Sequence, residues 1–293
     1  MLAEKPPKTN RRPAHANCLN TFAIWTRTAE PASLNLSVSD AISNHQQGRL
    51  LFSGSDLGMP IQVRQWQQLR WLHFDQHSIE ACIDLDSPAS LTIPYTEAMV
   101  LAAALKPDAQ QMLNLGCGVG SFERYFNHQL PQLSITSVEA SALIIDLAKR
   151  WFLLPENLRL YNCAAEEFLK QERQRYDLIF CDIHIADGHP NCLDTLQFYR
   201  HLKQALQPSG LLVINVLPRD NDQLLRWLLL IRDPFTHLML LPIDNKQNCL
   251  IFCFDQSPPD DLEIIERASQ WDSRYGSNLL HHCDSLVRLP VPP

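Results

Sequence analysis

Met112-Leu-Asn-Leu-Gly-Cys-Gly-Val-Gly120 reads as an apolar strand running into a glycine-rich turn, with a helix expected to begin near Ser121. The chain has 293 residues but only nine glycines, where average usage would supply roughly twenty. Three of the nine, Gly116, Gly118 and Gly120, sit in this one turn. Glycine lets a backbone bend tightly and lets a ligand approach with no Cβ in the way. The spacing is G-x-G-x-G, not the G-x-G-x-x-G that seats a pyrophosphate on a helix N-terminus, which speaks against a nicotinamide-dependent oxidoreductase. Glu139 closes the next apolar strand, nineteen residues beyond Gly120. A carboxylate at that place can accept both hydroxyls of a ribose. Turn and acid together predict a nucleoside site.

Outward from this turn the chain alternates strand and helix. Strands are predicted at Met112–Leu115, Ser134–Glu139, Leu158–Cys163, Tyr176–Asp182, Leu211–Val216, His237–Ile243 and Cys249–Phe254. Helices are predicted at about 120–128, 141–152, 165–172, 194–206 and 221–232. Leu178-Ile-Phe-Cys181 and Leu211-Leu-Val-Ile214 are unbroken apolar runs, as strands buried on both faces require. Such alternation predicts an α/β fold: a Rossmann-like, doubly wound, seven-stranded sheet whose last two strands form an antiparallel hairpin. Before it, residues ~49–94 alternate apolar and polar in short runs (Ile61–Trp66, Leu69–Phe74, Ser78–Asp84), predicting a small antiparallel β unit. A helix is expected from Pro94 to about Lys106, with Pro107 just past its end. The expected layout is a flexible extension over 1–47, the small β unit over 48–94, a Rossmann-like nucleoside-binding catalytic domain over 95–275, and a tail over 276–293.

A hydrophobic content of 45% excludes wholesale disorder, and the net charge of −7 opposes a mainly electrostatic nucleic-acid binder. No apolar run approaches the ~20 residues of a membrane-spanning helix, so no membrane partner is expected. Nine cysteines are not a secreted disulfide framework here. Cys117, Cys163, Cys181, Cys249 and Cys253 lie in apolar runs, as reduced core thiols do, so a reducing cytoplasmic compartment is expected. The basic, proline-containing N-terminus lacks the apolar stretch of a signal peptide. Cys249 and Cys253 have no second metal-spaced pair nearby; His281, His282 and Cys283 are residue types able to bind a metal, but no metal is expected.

Asp182, at the C-terminal end of the fourth predicted strand, stands where open α/β sheets bind ligands. The spacing and strand order resemble class I S-adenosylmethionine-dependent methyltransferases. Further motifs resemble the spermidine synthases, the polyamine aminopropyltransferases of that fold: Tyr95-Thr-Glu-Ala-Met99, Val138–Ala148, Tyr176–Asp182 and Phe198–Gly210, in that order, over roughly residues 50–255. The resemblance implies a transferase that takes S-adenosylmethionine or its decarboxylated form as co-substrate. The Asp matching Asp182 activates the attacking amine there, assisted by the Tyr matching Tyr95. Gly116, Gly118, Gly120, Glu139 and Glu166 would bind the donor nucleoside. A small-molecule substrate of polyamine type is implied, and a homodimer by analogy.

Three positions depart from the family pattern. Val119 stands where the glycine loop carries an Asp for the donor's amine, Ala164 where an Asp holds adenine, and Ile185 where a second Asp follows the catalytic one. Each such loss removes charge-assisted hydrogen bonds of ~1.5–3 kcal/mol from a site for a polycation. Two other chemistries therefore stay open: methyl transfer to another acceptor, and nucleoside binding without catalysis. His184, His189 and Asp187 follow Asp182 in a segment able to gate the site, and both histidines read as structural or solvent-facing. Asn215 either faces the cleft or merely ends its strand. Trp66, Trp71 and Phe74 read as a packed β-face rather than a substrate clamp.

Overall fold

The computed structural model describes residues 48–56, 59–74, 79–184, 189–243 and 247–291, all within one compact unit, Leu36–Pro293. The 1–47 extension, Ile185, Asp187 and Gly188 lie outside the described residues.

The central layer follows from the apolar runs. Strands β5 (Gln111–Leu115), β6 (Ser134–Glu139), β7 (Arg159–Asn162), β8 (Tyr176–Cys181) and β9 (Leu206–Val216) pair in parallel. Beyond β9, β11 (Cys249–Phe254) and β10 (His237–Pro242) run antiparallel. Side chains alternate across this sheet as the two-residue period of a strand demands. Met112, Leu178, Phe180, Leu211 and Val213 enter one apolar cluster, whereas Leu113, Ile179, Cys181, Leu212 and Ile214 enter the other. Helices α1 (Pro94–Met99), α2 (Leu101–Leu105), α3 (Ser121–Gln129) and α8 (Asp261–Tyr275) cover the first face. Helices α5 (Ala165–Gln171), α6 (Leu196–Ala205) and α7 (Asn221–Arg232) cover the second. The predicted doubly wound sheet and its terminal hairpin are present.

An eighth strand corrects the count of seven. Val287–Arg288 (β12) pairs with Leu240 and Met239 at the edge, giving the order β12-β10-β11-β9-β8-β5-β6-β7. Two short helices, α1 and α2, meeting at Val100, replace the single helix expected after Pro94. Helix α8, capped by the Asp260 side chain, and helix α9 (Leu280–Cys283) were not predicted.

The small unit is a four-stranded antiparallel sheet of β1 (Arg49–Asp56), β2 (Met59–Trp66), β3 (Leu69–His73) and β4 (Ala81–Asp84). Ile61, Val63, Leu72 and Ile83 from it join Val119 with Ile144, Leu147 and Phe152, at and just beyond helix α4 (Ala142–Trp151), in one apolar cluster. That cluster seats the small sheet against the glycine turn. The chain leaves β5 for β6 and β7, then crosses back to β8, so the topology reverses between β5 and β8. Ligands of open α/β sheets bind at such a reversal, beyond the carboxyl ends of the strands. Among the described residues no helix is long and apolar enough to cross a membrane.

Candidate active site

Beyond the ends of β5 and β8 opens a cavity of about 340 Å³. Tyr95, Gly116, Gly118, Glu139, Glu166 and Asp182 all line it. Gly120 is not among its lining residues; it ends the turn, in the left-handed conformation, as the residue before α3.

The glycines have separate reasons. All three have positive φ: 91° at Gly116, 54° at Gly118 and 81° at Gly120. A Cβ on Gly116 would lie 2.0 Å from the Asp182 carbonyl oxygen, so this glycine lets the turn press against the segment that carries the acid. A Cβ on Gly120 would meet Leu154, whereas one on Gly118 would meet nothing within 4 Å. Beneath the turn, buried Arg124 donates to the carbonyls of Pro88, Val119 and Phe152, tying the turn to its flanking segments. Desolvation lowers its pKa to about 10, which leaves it charged at neutral pH.

Glu139 accepts from the Gly118 amide at Oε2 and the Ser141 amide at Oε1, each at 2.9 Å. Burial raises its pKa, and these amide bonds only partly offset that. A carboxylate oxygen can accept more than one hydrogen bond, which leaves this group capacity for a hydroxyl beside these amides. This is the chemistry of a ribose acceptor. Glu166, in the first turn of α5, lines the cavity beside Ala164.

Asp182 gathers a second group. Its Oδ2 accepts from the Tyr95 hydroxyl at 3.1 Å, and its Oδ1 accepts from Asn215 Nδ2 at 2.8 Å. His184 Nε2 lies 2.8 Å from the same Oδ1. Asn215 is itself oriented by Asn248 Nδ2, which donates to its Oδ1 at 3.0 Å. Desolvation, with the negative charges of Asp182 and Glu80 behind it, holds the Tyr95 hydroxyl well above the ordinary value of 10.0, so it stays a donor. Burial acts to lower the His184 pKa, yet the Asp182 bond and the Asp182 and Glu80 charges prevail and leave it raised above 6.5.

Several residues take places the sequence alone did not give them. His184 is a direct partner of Asp182, whereas His189 contacts Asp194 and the Trp227 ring. Asn215 is buried and bonds Asp182 from behind the cavity lining, so it does more than end its strand. Trp71 is fully buried in the small sheet, but Phe74 lines the cavity, so that aromatic group is only partly a packed face. Glu80, just ahead of β4, also lines the cavity and was not singled out. Val119 is buried to 2% exposure in the apolar cluster and presents no carboxylate. Position 185 lies outside the described residues.

The sheet order is that of the Rossmann-like methyltransferase fold, and the methyltransferase-domain family profile matches residues 112–210. A polyamine aminopropyltransferase of Chromobacterium violaceum is 27% identical over 227 residues, covering 74% of this chain and 85% of that protein. An eEF1A lysine and N-terminal methyltransferase of Xenopus laevis is 24% identical, covering 63% of this chain but 31% of that protein. A probable spermidine synthase of Corynebacterium glutamicum superposes with a TM-score of 0.64 at 19% identity, over 76% of this chain and 87% of that one. Human methyltransferase-like protein 13, solved with SAH, superposes at 0.58 and 21% identity, over 64% and 94%. The chain is thus similar in sequence to polyamine aminopropyltransferases and shares the Rossmann-like methyltransferase fold. Its relatives are aminopropyltransferases and methyltransferases, which supports transferase as its reaction class.

Proposed function

We propose that the chain transfers an alkyl group from S-adenosylmethionine or decarboxylated S-adenosylmethionine to an amine of polyamine type. The observation that carries this is the hydrogen bond from Tyr95 to Asp182 in the same cavity as the Glu139 carboxylate. Glu139 would accept the ribose hydroxyls, with the glycine turn allowing close approach of the nucleoside and Glu166 standing nearest to where the base would lie. Asp182 would hold the incoming ammonium. It would then take a proton, so that the neutral amine attacks the carbon next to sulfur as the C–S bond breaks and its electrons return to sulfur. An amine with a pKa near 10.4 (taking Lys as the guide) needs such a base at neutral pH. Tyr95, Asn215 and His184 keep the carboxylate oriented. Alignment by the cavity supplies much of the remaining acceleration.

A second reading, methyl transfer, is favoured by Val119, whose buried isopropyl group replaces the acid expected to hold the amine of a decarboxylated donor. Calorimetric titration with S-adenosylmethionine, decarboxylated S-adenosylmethionine and methylthioadenosine separates the two. Tighter binding of the decarboxylated donor supports aminopropyl transfer, and tighter binding of S-adenosylmethionine supports methyl transfer. Binding of none would sink both. Glu139→Ala is expected to weaken methylthioadenosine binding about ten- to hundredfold, the loss of hydrogen bonds to a charged acceptor. Unchanged affinity would remove Glu139 from the ribose site.

A further inference from the structure

A second cavity, of about 540 Å³, lies on the other side of α1 from the active site. The two share that helix: Tyr95 and Thr96 line the first, and Glu97 lines the second. Residues two apart on a helix point roughly 200° apart, so α1 can serve both. The remaining walls are the 86–91 linker after β4, Tyr125 and His128 of α3, and Tyr275 at the end of α8. Among the described residues no Lys or Arg lines this cavity, whereas two carboxylates, Asp86 and Glu97, do. Glu97 Oε1 accepts from the Asn278 amide at 3.0 Å. Burial raises the Glu97 pKa, the Asp272 charge adds to that, and the Asn278 amide and His281 only partly offset it. A cation beside this carboxylate would therefore be stabilised. Tyr125 is buried, and its hydroxyl accepts from Trp271 Nε1 at 3.0 Å. The half-buried Tyr275 ring already has the Arg274 guanidinium 5.2 Å from its centroid. Tyrosine rings beside carboxylates are surroundings that a partly desolvated organic cation favours.

We propose that this second cavity binds a small organic ammonium: Glu97 accepts from the nitrogen, Asp86 adds charge at the rim, and the tyrosines enclose the carbons. The site is separate from the one that holds Asp182, Glu139 and the glycine turn, so it stands whichever group the chain transfers. An anion would meet two like charges there. A bare metal ion prefers a close shell of oxygens, whereas Pro88, Ala89, Leu91 and the two tyrosines give this cavity walls of carbon. Its volume is in the range of small-molecule sites. The Pro88 carbonyl in its wall accepts from Arg124, which also bonds the Val119 carbonyl of the glycine turn. A bound ammonium would thus touch the helix that carries Tyr95 and a segment tied to that turn.

The test is titration of the full chain with 1-aminobutane and with 1-butanol, followed by the NMR signal of the Trp271 indole N–H. That group bonds Tyr125 in the cavity wall, and its signal is assigned by its loss in Trp271→Phe. In wild type the amine should shift the signal saturably and the alcohol should not. Glu97→Gln keeps an oxygen for the Asn278 amide but loses the charge, and should weaken the amine about ten- to hundredfold. Asp86→Asn, at an exposed position, should weaken it about two- to fivefold. Asp182→Asn should leave the Trp271 titration unchanged, because Asp182 belongs to the other cavity. No saturable shift with the amine, or equal affinity for amine and alcohol, would overturn the ammonium site. So would loss of the shift in Asp182→Asn, which would trace it to the active site. Wild-type affinity in folded Glu97→Gln would also overturn it, and if that variant does not fold, wild-type affinity in Asp86→Asn decides in the same way.

Discussion

At the residue scale the chemistry converges on one carboxylate. Asp182 takes bonds from Tyr95 and Asn215 and a contact from His184, so its orientation is set before any ligand arrives. A positioned general base contributes typically 10²–10⁴-fold. Asp182→Asn is expected to reduce kcat by about that factor while methylthioadenosine binding stays within about twofold, measured by steady-state kinetics and calorimetry. His184 makes a pH-dependent contribution whose sign follows from its raised pKa. A histidine with a folded-state pKa above its unfolded value of about 6.5 adds stability that is fully present below that value. The contribution is lost as pH rises through the folded-state pKa. Urea unfolding of wild type and His184→Asn should therefore differ more at about pH 6 than at about pH 9. A difference that grew with pH would show that His184 is held neutral.

At the element scale the glycine turn is a joint between three segments. Gly116 packs against the Asp182 backbone, Val119 anchors in the small-sheet cluster, and Arg124 ties the turn to Pro88 and Phe152. Gly116→Ala combines a left-handed φ with a Cβ 2.0 Å from a carbonyl oxygen. Strain and overpacking of that kind cost about 2–5 kcal/mol together. Gly118→Ala carries the positive φ but meets open space, so its cost should be about 1 kcal/mol. Thermal and urea unfolding of the two variants would check the ordering. Equal destabilisation would mean that the close approach to Asp182 does not constrain the turn. The turn was readable from residue types, because three glycines in five positions of a glycine-poor chain carry their own conformational message. The Arg124 tie was not, since a buried arginine on an amphipathic helix looks like an exposed one until its carbonyl partners are known.

At the scale of the whole molecule the sheet is closed by a segment far from the site. Beyond the pairing of β12 with β10, Leu289 donates its amide to the Leu238 carbonyl, Arg288 bonds Asp261, and Arg232 bonds the Pro290 carbonyl. Deleting residues 287–293 is expected to lower stability by about 1–3 kcal/mol, a few backbone and ion-pair contacts. Methylthioadenosine affinity should be unchanged, because none of the described residues among them lines the cavity. A fall in affinity would show that the edge is coupled to the site.

The parallel sheet, the helices between its strands and the glycine turn at the cavity were legible because each is written locally. Apolar runs buried on both faces, alternation in the small sheet, a glycine turn after the first strand and an acid closing the second all act within one or two adjacent elements. Of the group around Asp182, only Tyr95 and Asp182 were legible, and those through the family resemblance. Tyr95 and Asp182 are 87 residues apart in sequence, and Asn215 lies 33 beyond Asp182. Glu80 reaches the cavity only because the small sheet folds onto the glycine turn through Val119. A single polar residue at a strand end reads alike whether it faces solvent or substrate. Only the packing of separate elements, driven by apolar burial, decides which of those residues share a cavity, and hence which charges an acceptor would meet.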